Sequence, residues 1–182
     1  MSIPLLIGIL GRSRSGKDTV AQIIQSIVPY QYEVMRFAQP IKNALHEIYG
    51  FSIEQMEDDQ KELIDSRYNI TPRQAMRDMT THYMTMHGPS FFSKNLFDIY
   101  DKNTINHGII IPDVRYEHDI IQIQKRGGIV LKIVRPTNKI EHIWEDHIND
   151  LNSDYVINND SDLNELRNNV LDLIESYKTG CS

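Results

Sequence analysis

Residues 7–19, IGILGRSRSGKDT, decide how this chain folds. The apolar run Leu5–Leu10 reads as a buried strand that breaks at Gly11, and Gly16-Lys17 follows at the spacing G-x-x-x-x-G-K. Val20, Ile23, Ile24, Ile27 and Val28 then recur at helical spacing. Strand, glycine loop and helix are the context of a phosphate-binding loop. Glycines let backbone N–H groups turn inward on an anion, the helix N-terminus adds partial positive charge, and Lys17 adds a full one, its ammonium expected to be exposed. Gly11, Arg14, Ser15, Gly16, Lys17, Asp18 and Thr19 are the expected nucleotide-phosphate contacts. Asp18 stands where Ser or Thr usually follows the lysine, with Thr19 next. Asp18 has two readings, a magnesium ligand or a helix-capping carboxylate.

Composition narrows the class. The chain has 182 residues, 40% hydrophobic and 24% charged, enough for one domain with a real core or one domain with a small lid. A net charge of −6 speaks against broad binding to nucleic acid or an anionic membrane. Cys181 is the only cysteine, so no intramolecular disulfide forms, as suits a reducing compartment. No apolar run reaches the ~18 residues of a spanning helix, and the start lacks a charged signal-peptide head. The expectation is a soluble, intracellular, cytoplasmic protein.

Outward from the loop, strands alternate with helices. Tyr32–Phe37 reads as a second strand, and Gln39-Pro40 starts a helix with Ile41, Ala44, Leu45 and Ile48 on one face, stopped by Gly50. Residues 51–70 are acidic and weakly periodic, open to reading as a mobile cover or a solvated helix–loop. Thr71-Pro72-Arg73-Gln74 is a helix start in capping-box form. Ala75, Met76, Met79, Tyr83 and Met86 mark its apolar face, read as core, and a further helix follows Pro89. Gly108–Asp113 is an apolar strand ending in an acid, open to two readings: a Walker B strand, where the Asp meets the magnesium shell, or a plain strand-end Asp. Arg115 lies two residues on. A helix near Ile120–Gln124, a strand at Ile129–Val134, a short strand at Asp154–Ile157 and a helix capped by Asp162 complete the series. The last helix is expected to bury Leu163, Leu166, Val170, Leu173, Ile174 and Tyr177. His118, His142 and His147 show no zinc-ligand frame. The pattern predicts an α/β fold, a sheet of about five mostly parallel strands with helices on both faces. Gly11, Phe37, Asp113 and Arg135 are expected at the carboxyl ends of the strands, where ligands bind.

The segments GRSRSGKDTVA (11–21), RFAQPIK (36–42), TPRQ (71–74), IIPDVRYEHD (110–119), VRP (134–136) and DHINDLNSDYVINND (146–160) resemble the deoxynucleoside monophosphate kinases of phages and large DNA viruses. The resemblance runs nearly end to end. Gln39, Thr80-Thr81-His82 and His147-Ile148-Asn149-Asp150 depart from its pattern. It implies one P-loop kinase domain over residues 1–182, with a helical acceptor-binding or lid region at 51–105 inserted between core strands. It also implies phosphoryl transfer from ATP, with magnesium, to a deoxynucleoside monophosphate in the cytoplasm of an infected host, with a homodimer left open. Lys17, Asp113 and Arg115 are the expected catalytic residues. Asp18, Thr19 and Asp113 are the expected magnesium contacts, and Arg135 joins the ATP side by resemblance. Arginine's planar fork suits phosphate oxygens, so Arg36, Arg73 and Arg67, with Lys42 of the RFAQPIK segment, are the expected acceptor contacts. Two other readings stay open: a P-loop kinase for a different small phosphorylated acceptor, and a nucleotide-binding module without turnover.

Overall fold

The structure is a computed structural model that describes residues 5–28, 32–57, 59–102, 107–136 and 147–179. Trp144, His142 and Cys181 lie outside the described residues. Two compact units are present, one formed by Met1–Arg36 with Tyr100–Ser182, the other by Phe37–Ile99.

The first unit is a sheet of five parallel strands, β1 (Leu6–Leu10), β2 (Tyr32–Val34), β3 (Gly108–Val114), β4 (Ile129–Val134) and β5 (Tyr155–Asn158), in the order β2-β3-β1-β4-β5. The three continuous apolar runs occupy the centre, where both faces are covered. Alternation along β1 explains the covering. Ile7 and Ile9 join a core with Val20, Ala21, Ile23 and Ile24 of α1 (Lys17–Ile27) and with Leu166, Val170 and Ile174 of α7 (Leu163–Thr179), α6 being the single turn His147–Asp150 between β4 and β5. Gly8 points to the other face, where a Cβ would meet Ile123 of α5 (Glu117–Lys125) at 2.5 Å. The order reverses around β1, so the crevice at its carboxyl end is a topological switch point.

β3 carries a feature that periodicity did not reveal. Gly8 pairs with Ile111, but Leu10 pairs with Val114, so β3 holds one extra residue at Pro112-Asp113. Proline has no N–H for the ladder, and the strand bulges there. The bulge displaces Asp113 from a regular place in the register at the edge where the crevice opens.

The second unit packs α2 (Gln39–Tyr49) and α3 (Pro72–His87) around Ile41, Leu45, Phe51, Met56 and Ala75, with Phe92 of α4 (Phe91–Lys102) against them. α4 continues past Ile99, so its last turn belongs to the first unit. Residues 51–70 form two short 3-10 turns (Glu54–Met56 and Gln60–Glu62) and an antiparallel bridge between Asp65 and Ile70. Buried Phe51 and Met56 anchor the segment. Asp65 is the buried charge that organises it, accepting from Arg67 Nε at 3.0 Å, Arg67 Nη2 at 2.7 Å, the Arg67 backbone N–H at 2.9 Å and Gln55 Nε2 at 3.2 Å.

Several sequence expectations need correction. β2 is shorter than Tyr32–Phe37, although Met35 N–H still bonds Ile110 C=O at 3.0 Å beyond its end. Ile48, Met86 and Leu163 are exposed, each lying in the first or last turn of its helix, and Leu5 and Tyr83 are exposed as well. Thr71 caps α3 by accepting from Gln74 N–H at 3.1 Å, but the Gln74 side chain bonds Asp78 at 2.6 Å instead of closing a capping box. No helix among the described residues is long and apolar enough to cross a membrane.

The Arg67 guanidinium holds the Asp65 carboxyl down to a pKa of about 2. A depressed carboxylate contributes stability above its unfolded value near ~4, and that contribution is lost as pH falls toward its folded value. Asp65→Asn should therefore melt below the parent at pH 6, with the gap closing as pH falls from about 4 to about 2. Circular dichroism melts across this range check it, and a gap independent of pH would exclude the ion pair as its source.

Candidate active site

The loop from Gly11 to Gly16 leaves β1 and enters α1. Arg14 takes a left-handed backbone (φ 62), rare for a non-glycine residue, and Gly16 caps α1 at φ 100. Ser15 N–H bonds Arg12 C=O at 3.2 Å and closes the turn. Gly11 is hemmed in by its surroundings: a Cβ there would stand 2.6 Å from Ser15 Oγ and 2.8 Å from the Ile133 carbonyl of β4. Gly16 is constrained by its φ and by Asn159, whose Nδ2 would lie 2.5 Å from an added Cβ.

Lys17 is buried, contrary to the exposed ammonium expected. Its Nζ donates to Gly11 C=O at 2.8 Å and Arg12 C=O at 2.6 Å, so the charge folds back over the loop. The physical reason is local: an ammonium has three donors and no acceptor, and the loop that turns its amides inward presents these carbonyls within reach of the lysine stem. Asp18 is exposed in the first turn of α1 and ion-pairs with Arg36, which follows β2. This pairing is a third role beyond the two the sequence offered, magnesium ligand or cap. Thr19 is half-buried on the same turn, and Arg135 is exposed just past β4.

At the end of β3, Asp113 and Arg115 are both half-buried. Asp119, only 3% exposed, accepts from the backbone N–H groups of Arg115 at 3.3 Å and Tyr116 at 3.1 Å. This carboxylate at the start of α5 fixes the turn that carries Arg115. His147 donates to Arg115 C=O at 3.0 Å from the other side, and its ring stacks on Tyr116, which also stacks on His118. Asp119 escaped the sequence reading, although its place three residues after Tyr116, as in a capping box, was a usable signal. Pro112 inside an apolar strand was the signal for the bulge.

The second unit carries the other expected cations. Arg73 pairs with Glu62 and Lys42 pairs with Glu57. Lys61 belongs with them: burial lowers its pKa first, and then the nearby charges of Arg73 and Lys42, against the opposing pull of Glu57 and Glu62. Lys61 was missed because one lysine in an acidic stretch reads as solvated. Arg67 stands apart, its fork committed to Asp65. α2 and α3 also line an open cavity of about 220 Å³, walled by Ile41, Ala44, Met79, Tyr83, Phe91 and Phe92. The methionine and aromatic stripe read as core thus lines a cavity in part.

Among the described residues, no group of three or more His, Cys, Asp or Glu side chains is placed to hold a metal ion on its own. The oxygen donors of Asp18, Thr19 and Asp113 suit a hard cation that takes its remaining ligands from phosphates and water, as magnesium does in nucleotide sites.

The Gly11–Gly16 loop with Lys17, at the switch point of a five-stranded parallel sheet beside the Asp113 end of β3, has the architecture of the P-loop kinase fold. Solved structures carry the same fold. The dephospho-CoA kinase of Campylobacter jejuni superposes with a TM-score of 0.57 at 13% identity, covering 98% of this chain and 99% of that one. The shikimate kinase of Aquifex aeolicus superposes at 0.53 and 14%, covering 96% and 99%. The model of the deoxynucleotide monophosphate kinase family matches residues 5–71 and 65–170, and this chain belongs to that family. A protein of Acanthamoeba polyphaga mimivirus assigned as a deoxynucleotide monophosphate kinase is 28% identical over 191 residues, which span 94% of this chain and 97% of the relative. The chain is accordingly a transferase, of a family that phosphorylates deoxynucleoside monophosphates.

Gly11→Ala should disable the loop. Its methyl group meets a backbone carbonyl, which cannot rotate away as a side chain does, so the loop must shift. ADP affinity should fall at least about tenfold, the scale of one lost charge-assisted hydrogen bond. Calorimetric titration of the folded variant checks it, and unchanged affinity would show that the loop absorbs the methyl.

Proposed function

We propose that this protein transfers the γ-phosphoryl group of ATP, with magnesium, to a deoxynucleoside monophosphate. A phosphate oxygen of the acceptor attacks the γ-phosphorus, the bond to the β–γ bridging oxygen breaks, and ADP and a deoxynucleoside diphosphate form. The acceptor oxygen is already anionic, so no general base is needed, and catalysis reduces to positioning and charge stabilisation. The observation that carries this reading is the pairing of the Lys17 loop with the acid-ended strand β3 in a chain of this family.

The loop amides from Arg14 to Thr19 and the Lys17 ammonium hold the donor phosphates, and Lys17 leaves the Gly11 and Arg12 carbonyls for them. Arg135 lies on the donor side. Thr19, Asp18 and Asp113 are the residues that would hold magnesium, which would neutralise developing charge on the phosphate oxygens. Arg115 stabilises the transferring group from a turn fixed by Asp119 and His147. Arg73, Lys42 and Lys61 take the acceptor phosphate, which replaces Glu62 and Glu57 as their partner, and Arg36, paired with Asp18, is a further candidate phosphate contact. Arg67 is reserved for the fold of residues 51–70. The aromatic cavity takes the acceptor's base, since α2 and α3 supply both its walls and the cations Lys42 and Arg73.

The test is a coupled ADP-release assay over the deoxy- and ribonucleoside monophosphates, with dephospho-CoA and other small phosphorylated acceptors alongside. Turnover with at least one deoxynucleoside monophosphate is expected; turnover only with another acceptor, or none, overturns the reading. Lys17→Ala should lower kcat by about 10²–10³-fold, the range for losing a preorganised transition-state contact. Its fold should survive, because the lost bonds are confined to the loop, and circular dichroism checks that point. Arg73→Ala should raise the acceptor KM by about ten- to a hundredfold while ATP affinity holds, since a charge-assisted phosphate contact contributes ~1.5–3 kcal/mol. An effect on ATP alone would move the acceptor phosphate elsewhere.

A further inference from the structure

One buried side chain distant in sequence reaches the phosphate loop. Asn159 follows β5, and its backbone N–H bonds Val134 C=O at 2.8 Å, extending the β4–β5 ladder by one rung. The side chain lies in the interior at 8% exposure, and its Nδ2 donates to Ser15 C=O at 2.8 Å. The nitrogen must face that carbonyl, because a carbonyl only accepts. The same nitrogen fills the space a side chain on Gly16 would need, 2.5 Å from an added Cβ.

The bonded peptide is the one that matters for an anion. In a trans peptide the C=O and the following N–H point in opposite directions. Drawing Ser15 C=O toward Asn159 therefore turns Gly16 N–H away from Asn159. We propose that Asn159 is a positioning residue of the phosphate loop, its amide locking the Ser15–Gly16 peptide so that Gly16 N–H is presented to the donor phosphates. The proposal rests on the reading of this loop as the donor-phosphate site. The orientation is set by an outer strand of the sheet, so the register of β5 beside β4 is transmitted to the loop through one hydrogen bond. A freely rotating peptide would have to be ordered by the nucleotide itself, at a loss of affinity.

Asn159→Asp is the informative variant. It keeps the shape, but a charged carboxylate cannot donate to Ser15 C=O, whereas a protonated carboxyl can. ADP affinity, measured by calorimetric titration beside the parent at pH 8, should be about tenfold weaker. Asn159→Ala should lose affinity by a similar factor, and serves alone if the Asp variant does not fold. In both, the acceptor KM at saturating ATP should stay within about twofold of the parent, because the Asn159 side chain bonds the donor loop. Lys17→Ala is the control. If it loses ADP affinity while both Asn159 variants bind ADP like the parent, the loop reading stands and the positioning role is wrong. If Lys17→Ala binds ADP normally, the loop is not the donor site and this inference falls with it. A loss of ADP affinity in Asn159→Ala alone, with the isosteric Asn159→Asp binding ADP like the parent, would mark Asn159 as packing only and also overturn the proposal.

Discussion

The loop from Gly11 to Gly16 has little room behind it, and much of the first unit follows from that crowding. Gly11 lies against the Ile133 carbonyl of β4, and Gly16 against the Asn159 side chain beyond β5. Neither contact is local in sequence. The loop keeps its shape because β1, β4 and β5 run parallel in fixed register, Leu10 beside Lys132 and Lys132 beside Val156, with β4 and β5 continuing past the end of β1 to flank it. A slip of register by one residue would turn the strand faces over and carry these backstops away. The apolar contacts of Ile7, Ile9, Leu131 and Ile133 with α1 and α7 hold that register.

The cations assigned to phosphate contact share an electrostatic arrangement. Arg36 is paired with Asp18, Arg73 with Glu62 and Lys42 with Glu57. Each pair is partly solvent-exposed, so each contributes little to stability and separates readily. A multiply charged phosphate offers a stronger partner than one carboxylate, and planar guanidinium groups can meet it with two bonds. Carboxylates that hold the cations in place also limit their attraction for stray anions, in keeping with a chain whose net charge is −6. Arg67 differs: its partner Asp65 is buried and bonded also to Gln55 and the Arg67 backbone, which makes the pair a structural fixture of residues 51–70.

The turn after β3 shows how a strand end becomes a working edge. Pro112 removes one ladder donor and bulges the strand, which re-aims Asp113. Asp119 then gathers the Arg115 and Tyr116 amides, and His147 closes over the Arg115 carbonyl. The two acidic groups divide the work, Asp113 facing the chemistry in the proposed mechanism and Asp119 holding the backbone.

Local patterns in the chain were enough to specify the sheet, its central strands, the loop and the helix starts at Pro72 and Leu163. Each of these depends on interactions within about a dozen residues, such as periodic burial, a cap or a turn that only glycine can make. The sequence also marked Lys17, Asp113 and the arginines, because charged groups at strand ends and helix starts stand out locally. Only the tertiary structure decided which partner each charge takes. The burial of Lys17 against loop carbonyls, the Asp18–Arg36 pair, the company of Lys61 and the reach of Asn159 to Ser15 are all choices among competing partners. The last joins residues 144 apart in the chain. No spacing rule reaches across that interval, because the contact exists only once the hydrophobic faces of α1 and α7 have brought β1, β4 and β5 into register.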